Sequence, residues 1–180
     1  DKFKDYDSDT LMSVVSEIGR LNELEVVDSN KIGDREGLKY LPDGPEGPEV
    51  HTPEAFKKIY QVVKDSGYVG ATMPTQYGGG GAPFTTAILA GEVGIASNMA
   101  FYMGPGLSHG AIKTILKKAT EELKDKYLPN KTSGEWMGTM CLTEPQCGTD
   151  LGLIKTKANP VENHYELNGQ KIWISFGEHD

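Results

Sequence analysis

Apolar positions recur at helical spacing over roughly the first 130 residues of the chain and then give way to short alternating runs. Leu11, Val14, Val15, Ile18, Leu21 and Leu24 form a stripe that predicts a first helix from about Thr10 to Val27, with Ser8 or Asp9 placed to cap it. The stretch from Asn30 to Pro53 carries three Pro and two Gly between Pro42 and Pro48. It reads as a surface excursion that holds neither a helix nor a central strand. Thr52 can cap a second helix with Pro53 in its first turn. Phe56, Ile59, Tyr60 and Val63 face one way along it, and Gly67 ends it. After the loop MPTQYGGGGAPF, Phe84 to Ser97 predicts a third helix. Its small residues Ala87, Ala90, Gly91, Gly94 and Ala96 would let another backbone approach. Phe101 to Lys118 predicts a fourth helix and Glu121 to Leu128 a short fifth, stopped by Pro129.

Beyond Gly134 the pattern is that of strands. Trp136 to Leu142, Ile154 to Ala158, His164 to Leu167 and Lys171 to Phe176 are candidates, with Asn168-Gly169 as a hairpin turn between the last two. The fold class expected is therefore α+β: an all-helical domain over residues 1–134, followed over 135–180 by the first strands of a β domain. A few short strands alone would leave edges and an uncovered apolar face, so the chain reads as truncated.

Composition narrows the function classes. The chain has 180 residues, 37% hydrophobic and 24% charged, as a folded globular domain has. Its formal net charge is −8, and all but Arg20 and Arg35 of its 18 basic residues are Lys. That balance disfavours both nucleic acid and an anionic membrane surface as partners. No apolar run approaches the ~18 residues of a membrane helix, and the opening DKFKDYDSDT resembles no signal or transit peptide. Cys141 and Cys147 have neither redox-pair nor zinc-knuckle spacing; two thiols fit a reducing compartment.

Two places can carry chemistry. In MCLTEPQCGTDLG, a predicted strand ends at Thr143-Glu144-Pro145, and a loop then offers Gly148, Thr149 and Asp150. Gly148 allows close backbone approach, Thr149 supplies a hydroxyl, and successive free N–H groups can form an anion-binding concavity. An ordinary strand–loop connection fits the same residue types. In KIWIS, the Trp173 indole can lie against a flat ring system with Ser175 on the same face. Ordinary core packing is the other reading.

Taken together, CLTEPQCGTD and the downstream NGQKIWIS resemble the flavin-binding signature of acyl-CoA dehydrogenases. MPTQYGGGGAP resembles that family's loop before a helix, and EELKDKYLPNKTSGEW its helix leading into the β domain. The resemblance covers nearly the whole chain in order. It implies an N-terminal helical domain, a β-barrel-like middle domain of which this chain holds the beginning, and a C-terminal four-helix bundle beyond it. It implies FAD as cofactor and α,β-dehydrogenation of an acyl-CoA substrate. Leu142 and Thr143 would contact the flavin ring system, Gly148 and Thr149 its phosphates, and Trp173, Ile174 and Ser175 the ring's other side. Thr149 would also approach the acyl-CoA, while Ala100 and Met103 would line the acyl pocket. The catalytic Glu is expected beyond residue 180, so no acid of this chain is assigned as base, and Glu144 is read as structural. An electron-transferring flavoprotein as acceptor, a homodimer or homotetramer, a cytoplasmic location and weak FAD binding by this chain alone complete the expectation.

Departures from the family pattern are local. Thr149 stands where many relatives have Ser, and Gln146-Cys147 replaces a smaller pair. Met140 occupies a position often aromatic, which leaves a ring contact there open. The tail SFGEHD and the GDREG…GPEG stretch look more like larger bacterial members. Gly78 to Gly81 lack a following Lys-Ser/Thr and read as a turn rather than a phosphate loop. His109 has no Cys or carboxylate at ligand spacing, so no metal is expected. His51, His164 and His179 read as loop or strand-edge residues, and the pairs Lys57–Lys58 and Lys117–Lys118 as solvated helix faces. Two alternatives stand beside the enzyme: a DNA-binding flavoprotein of the same fold, and a cofactor-free helical interaction module.

Overall fold

The structure is a computed structural model that describes residue 3, residues 5–177 and residue 179. Parts of the opening DKFKDYDSDT (Asp1, Lys2, Lys4) and of the SFGEHD tail (Glu178, Asp180) lie outside the described residues.

Helix α1 (Ser8–Leu21) starts at Asp7, whose carboxylate accepts the Thr10 N–H at 2.8 Å, one residue ahead of the expected caps. A π-helical turn, Asn22–Val26, then leads into α2 (Val27–Glu36). The wider turn rotates the helical phase. Leu24, expected inward, is 64% exposed, whereas Val26 is fully buried. The helical rod therefore extends into the stretch read as a surface excursion. The chain leaves it at Gly37 (φ 63) and forms an antiparallel hairpin, β1 (Lys39–Gly44) with β2 (Gly47–His51). Two strands are all edge, so Pro42 and Pro48 cost no central ladder bond.

Helix α3 (Glu54–Asp65) has Pro53 at its cap position and is followed by Gly67 in the left-handed region (φ 74). The glycine loop is closed by its own backbone: the N–H groups of Gly80, Gly81 and Ala82 donate to the carbonyls of Gly70, Met73 and Ala71. With those donors used, the loop is a turn and not a phosphate cradle.

The expected third and fourth helices form one rod, α4 (Phe84–Lys118), broken at Asn98 (φ −156, ψ 90). Asn98 caps the second half: its Oδ1 accepts the Phe101 N–H at 3.0 Å, and its Nδ2 donates to Ser29 Oγ on α2 at 2.8 Å. The space left by Gly94 is used by a ring rather than a backbone, since a Cβ there would lie 2.7 Å from Tyr102 Cε1. By length and composition α4 could cross a membrane; Ala90, Phe101, Tyr102 and Ile112 of it are buried in the helical part, whereas Ile88, Ile95 and Met99 are exposed. Helix α5 (Glu121–Thr132), capped by Thr120, continues through Pro129 rather than stopping there. Burial of Leu128 and Thr132 outweighs the one helix bond that Pro129 removes.

The core lies in two clusters. Val26, Ile59, Val63, Phe101 and Tyr102 pack where α3 and the π-helical turn meet α4. Val69, Met73, Tyr77, Ile112 and Leu128 pack between the second half of α4, α5 and the loop after α3. Both belong to the helical part.

Downstream, β3 (Lys157–Val161) pairs with β4 (His164–Asn168). His164 to Leu167 is thus a strand as expected, but the strand before it starts later than Ile154. Glu162-Asn163, with Glu162 at φ 50, turns β3 into β4, and the hairpin expected at Asn168-Gly169 between residues 164–167 and 171–176 does not form. Gly169 (φ 153) instead presses on Thr156, where a Cβ would lie 2.7 Å from Thr156 Cα. Residues 136–142 and 171–176 form no paired strand. A strand needs a ladder partner for alternate N–H and C=O groups; these two segments share isolated bonds only, described next. The α+β class holds, with two small hairpins as its sheets.

Candidate functional site

The segment after α5 is fixed at its root by the helical part. Tyr60 donates its hydroxyl to the Gly134 carbonyl at 2.7 Å, and Lys64 pairs with Glu135 at 2.9 Å. Lys131 Nζ donates to Met137 O at 3.0 Å, and the Gly138 N–H to Ser108 Oγ on α4 at 3.1 Å. From there the chain runs beside 172–175. Thr139 donates its hydroxyl to the Ser175 carbonyl, and the Ile172 N–H donates to Thr143 O at 2.9 Å. The two motif clusters, one around Thr143 and one around Trp173, are therefore neighbours.

Glu144 clasps them. It is 3% exposed and meets donors from three segments: Lys155 N–H at 2.8 Å, Thr156 N–H at 3.0 Å, Lys171 Nζ at 2.8 Å and Gln146 Nε2 at 2.5 Å. Lys171 also donates to the Leu142 carbonyl at 2.9 Å. The charge-assisted bond from Lys171, with those from Thr156 and Lys155, holds the Glu144 carboxyl well below the usual carboxylate range. With both oxygens engaged by donors, it has no lone pair poised to take a substrate proton. Sequence does not single out the clasp members Lys171 and Thr156, because contacts 27 and 12 residues apart leave no local spacing signal.

The remaining candidates lie as follows. Leu142 and Thr143 are half-buried, and Gly148 and Thr149 are exposed. Among the described residues, the Gly148 and Thr149 N–H groups donate to no protein acceptor. Ile174 is half-buried and Ser175 exposed, while Trp173, at φ 58, holds its ring 85% exposed instead of in a core.

Two apolar clefts adjoin this region. One, of about 340 Å³, lies between α2, α3 and the α4 break and is lined by Gly33, Leu38, Phe56, Ala100 and Phe176. The other, of about 280 Å³, is lined by Phe56, Tyr60, Phe101, Pro105, Met137 and Phe176. Ala100 thus faces a cleft, but Met103 is 45% exposed and lines neither. His109 is a core side chain: its Nε2 lies 2.9 Å from the Val69 carbonyl and its ring stacks on Tyr68 at 5.8 Å. Burial lowers its pKa and pushes that of Tyr68 up to about 12. The described residues contain no cluster of His, Cys, Asp and Glu able to hold a metal.

Comparison with known proteins identifies the family. The family pattern for the N-terminal domain of acyl-CoA dehydrogenases matches residues 45–135. The 3-methylmercaptopropionyl-CoA dehydrogenase of Ruegeria pomeroyi is 34% identical over 179 residues, covering 99% of this chain and 30% of the relative. A butyryl-CoA dehydrogenase of Syntrophomonas wolfei is 34% identical over 187 residues, covering 100% of this chain and 30% of the relative. The solved structure of an acyl-CoA dehydrogenase complexed with FAD from Bacillus anthracis superposes with a TM-score of 0.74 at 26% identity. That superposition covers 95% of this chain and 27% of the other. The chain belongs to the acyl-CoA dehydrogenase family. It spans about 30% of the length of these two curated relatives.

Proposed function

We propose that this chain is the flavin-gripping part of an FAD-dependent acyl-CoA dehydrogenase. The observation that carries the reading is the clasp: Glu144 and Lys171 join the segment bearing Leu142 and Thr143 to the one bearing Trp173, Ile174 and Ser175. The residues fit the group. The exposed Trp173 indole has a free aromatic face, and the unused Gly148 and Thr149 N–H groups suit a pyrophosphate. Bound FAD would supply the two-electron oxidising equivalent that removes the α and β hydrogens of an acyl thioester to give the 2-enoyl thioester.

The chain's own residues have positional work. Leu142 and Thr143 meet the ring system on one side, and Trp173, Ile174 and Ser175 on the other. The Thr149 hydroxyl reaches toward the acyl-CoA, and the clefts at Ala100 and Phe101 take the acyl chain and exclude water from it. Glu144 holds the two sides at fixed separation and is not the base. A cytoplasmic homo-oligomer that passes its electrons to an electron-transferring flavoprotein belongs to the same reading.

The test is direct. Purified intact protein is expected to be yellow, and its flavin absorbance to bleach when an acyl-CoA is added without oxygen. A colourless protein that cannot be reconstituted with FAD, or a yellow one that no acyl-CoA bleaches, overturns the reading.

A further inference from the structure

The two clefts share a wall, and the two rings in it are held differently. Phe56 and Phe176 line both. Phe56 is fixed by its surroundings. Gly33 on α2 lies so close that a Cβ there would sit 2.6 Å from Phe56 Cε1, and the Phe101 ring meets Phe56 edge-on at 5.8 Å. Phe176 owes its place to backbone conformation. It adopts φ 52, a left-handed geometry uncommon for a bulky residue, in a segment with no ladder partner. Its ring rests on the second half of α4 where Gly104 provides room; a Cβ there would lie 3.0 Å from Phe176 Cε1. Thr52, Phe56 and Phe176 thus stand between two apolar spaces of about 340 and 280 Å³, and of the two rings Phe176 is the one not wedged by close neighbours on two sides.

Resting on the dehydrogenase reading, we infer that Phe176 determines specificity by partitioning this groove and so limits the length of straight acyl chain it takes. Met137, which lines the cleft on the Phe101 side, is two residues from Thr139 and its bond to Ser175. A chain entering from that side meets Phe176 before it can reach the cleft at Ala100. Removing the ring should join the compartments, and a larger ring should close the first one earlier.

The test uses the intact, FAD-loaded protein and its Phe176→Ala and Phe176→Trp variants. Binding of S-alkyl-CoA thioethers of increasing chain length is measured by titration calorimetry; these lack the carbonyl that makes the α proton acidic. Affinity should rise about fourfold per buried methylene up to a plateau. The plateau is expected at longer chains for Phe176→Ala and at shorter chains for Phe176→Trp. A general loss of stability would not move it in opposite directions, and the Trp variant decides the matter if the Ala variant does not fold. An identical plateau in wild type and variants overturns the partition and leaves the dehydrogenase reading standing. If the wild type binds no thioether and no acyl-CoA bleaches its flavin, both fall together.

Discussion

Glu144 shows how a charged side chain can be buried without becoming reactive. Four donors, one of them the Lys171 ammonium, leave it ionised and committed, which suits an anchor and disqualifies a proton acceptor. Its structural role was readable from TEP in the sequence, whereas its partner Lys171 was not, since only folding brings them together. His109 is the opposite case, a half-buried group whose surroundings favour the neutral form. Burial lowers its pKa from the ordinary 6.5, with Lys113 adding repulsion and the Val69 carbonyl partly opposing the shift. The unfolded chain therefore takes up this proton more readily than the folded one. The contribution of His109 to stability is complete above pH 6.5 and is lost as the pH falls through the lowered folded value. Urea titrations between pH 5 and 7.5 should show stability falling toward acid, and His109→Gln should flatten that slope. An unchanged slope would place the acid sensitivity elsewhere.

Among the elements, those specified by local chemistry were legible. The break between the third and fourth helices is one, because Asn98 is a strong cap residue set in an apolar run. Replacing Asn98 with Ala removes the Phe101 cap bond and the bond to Ser29 in a buried setting. It should cost about 2 kcal/mol, read by denaturant titration. A cost below about 0.5 kcal/mol would mean that packing alone sets the break. Elements decided by longer-range packing were not legible. No residue type announces the π-helical turn that buries Val26 and exposes Leu24. Asn168-Gly169 carries a strong turn signal, but Gly169 is needed for close approach to Thr156, and no hairpin forms there. Pro129 failed to stop α5 because Leu128 just before it and Thr132 within the next turn are both buried.

For the molecule as a whole, the helical part holds both core clusters, while the β part leaves large apolar side chains in solvent: Tyr165 67% exposed, Leu167 78% and Trp173 85%. Uneven burial implies uneven local stability. Hydrogen exchange should find the amides of the second half of α4 slowest and those of β3 and β4 fastest. Equal protection of the two regions would contradict this division. The exposed strip also belongs to the segment that holds Trp173, so the residues proposed to meet the flavin are those the chain itself covers least.

The central claim is that the Glu144–Lys171 clasp holds two sequence clusters at the spacing a flavin needs. FAD affinity of the intact protein, measured by titration of apoprotein for wild type and for Lys171→Met, tests it most directly. The clasp predicts a weakening of about tenfold or more, as for loss of a positioning shell around a bound group, with helical circular dichroism unchanged. Equal affinity in a variant that remains folded would contradict it.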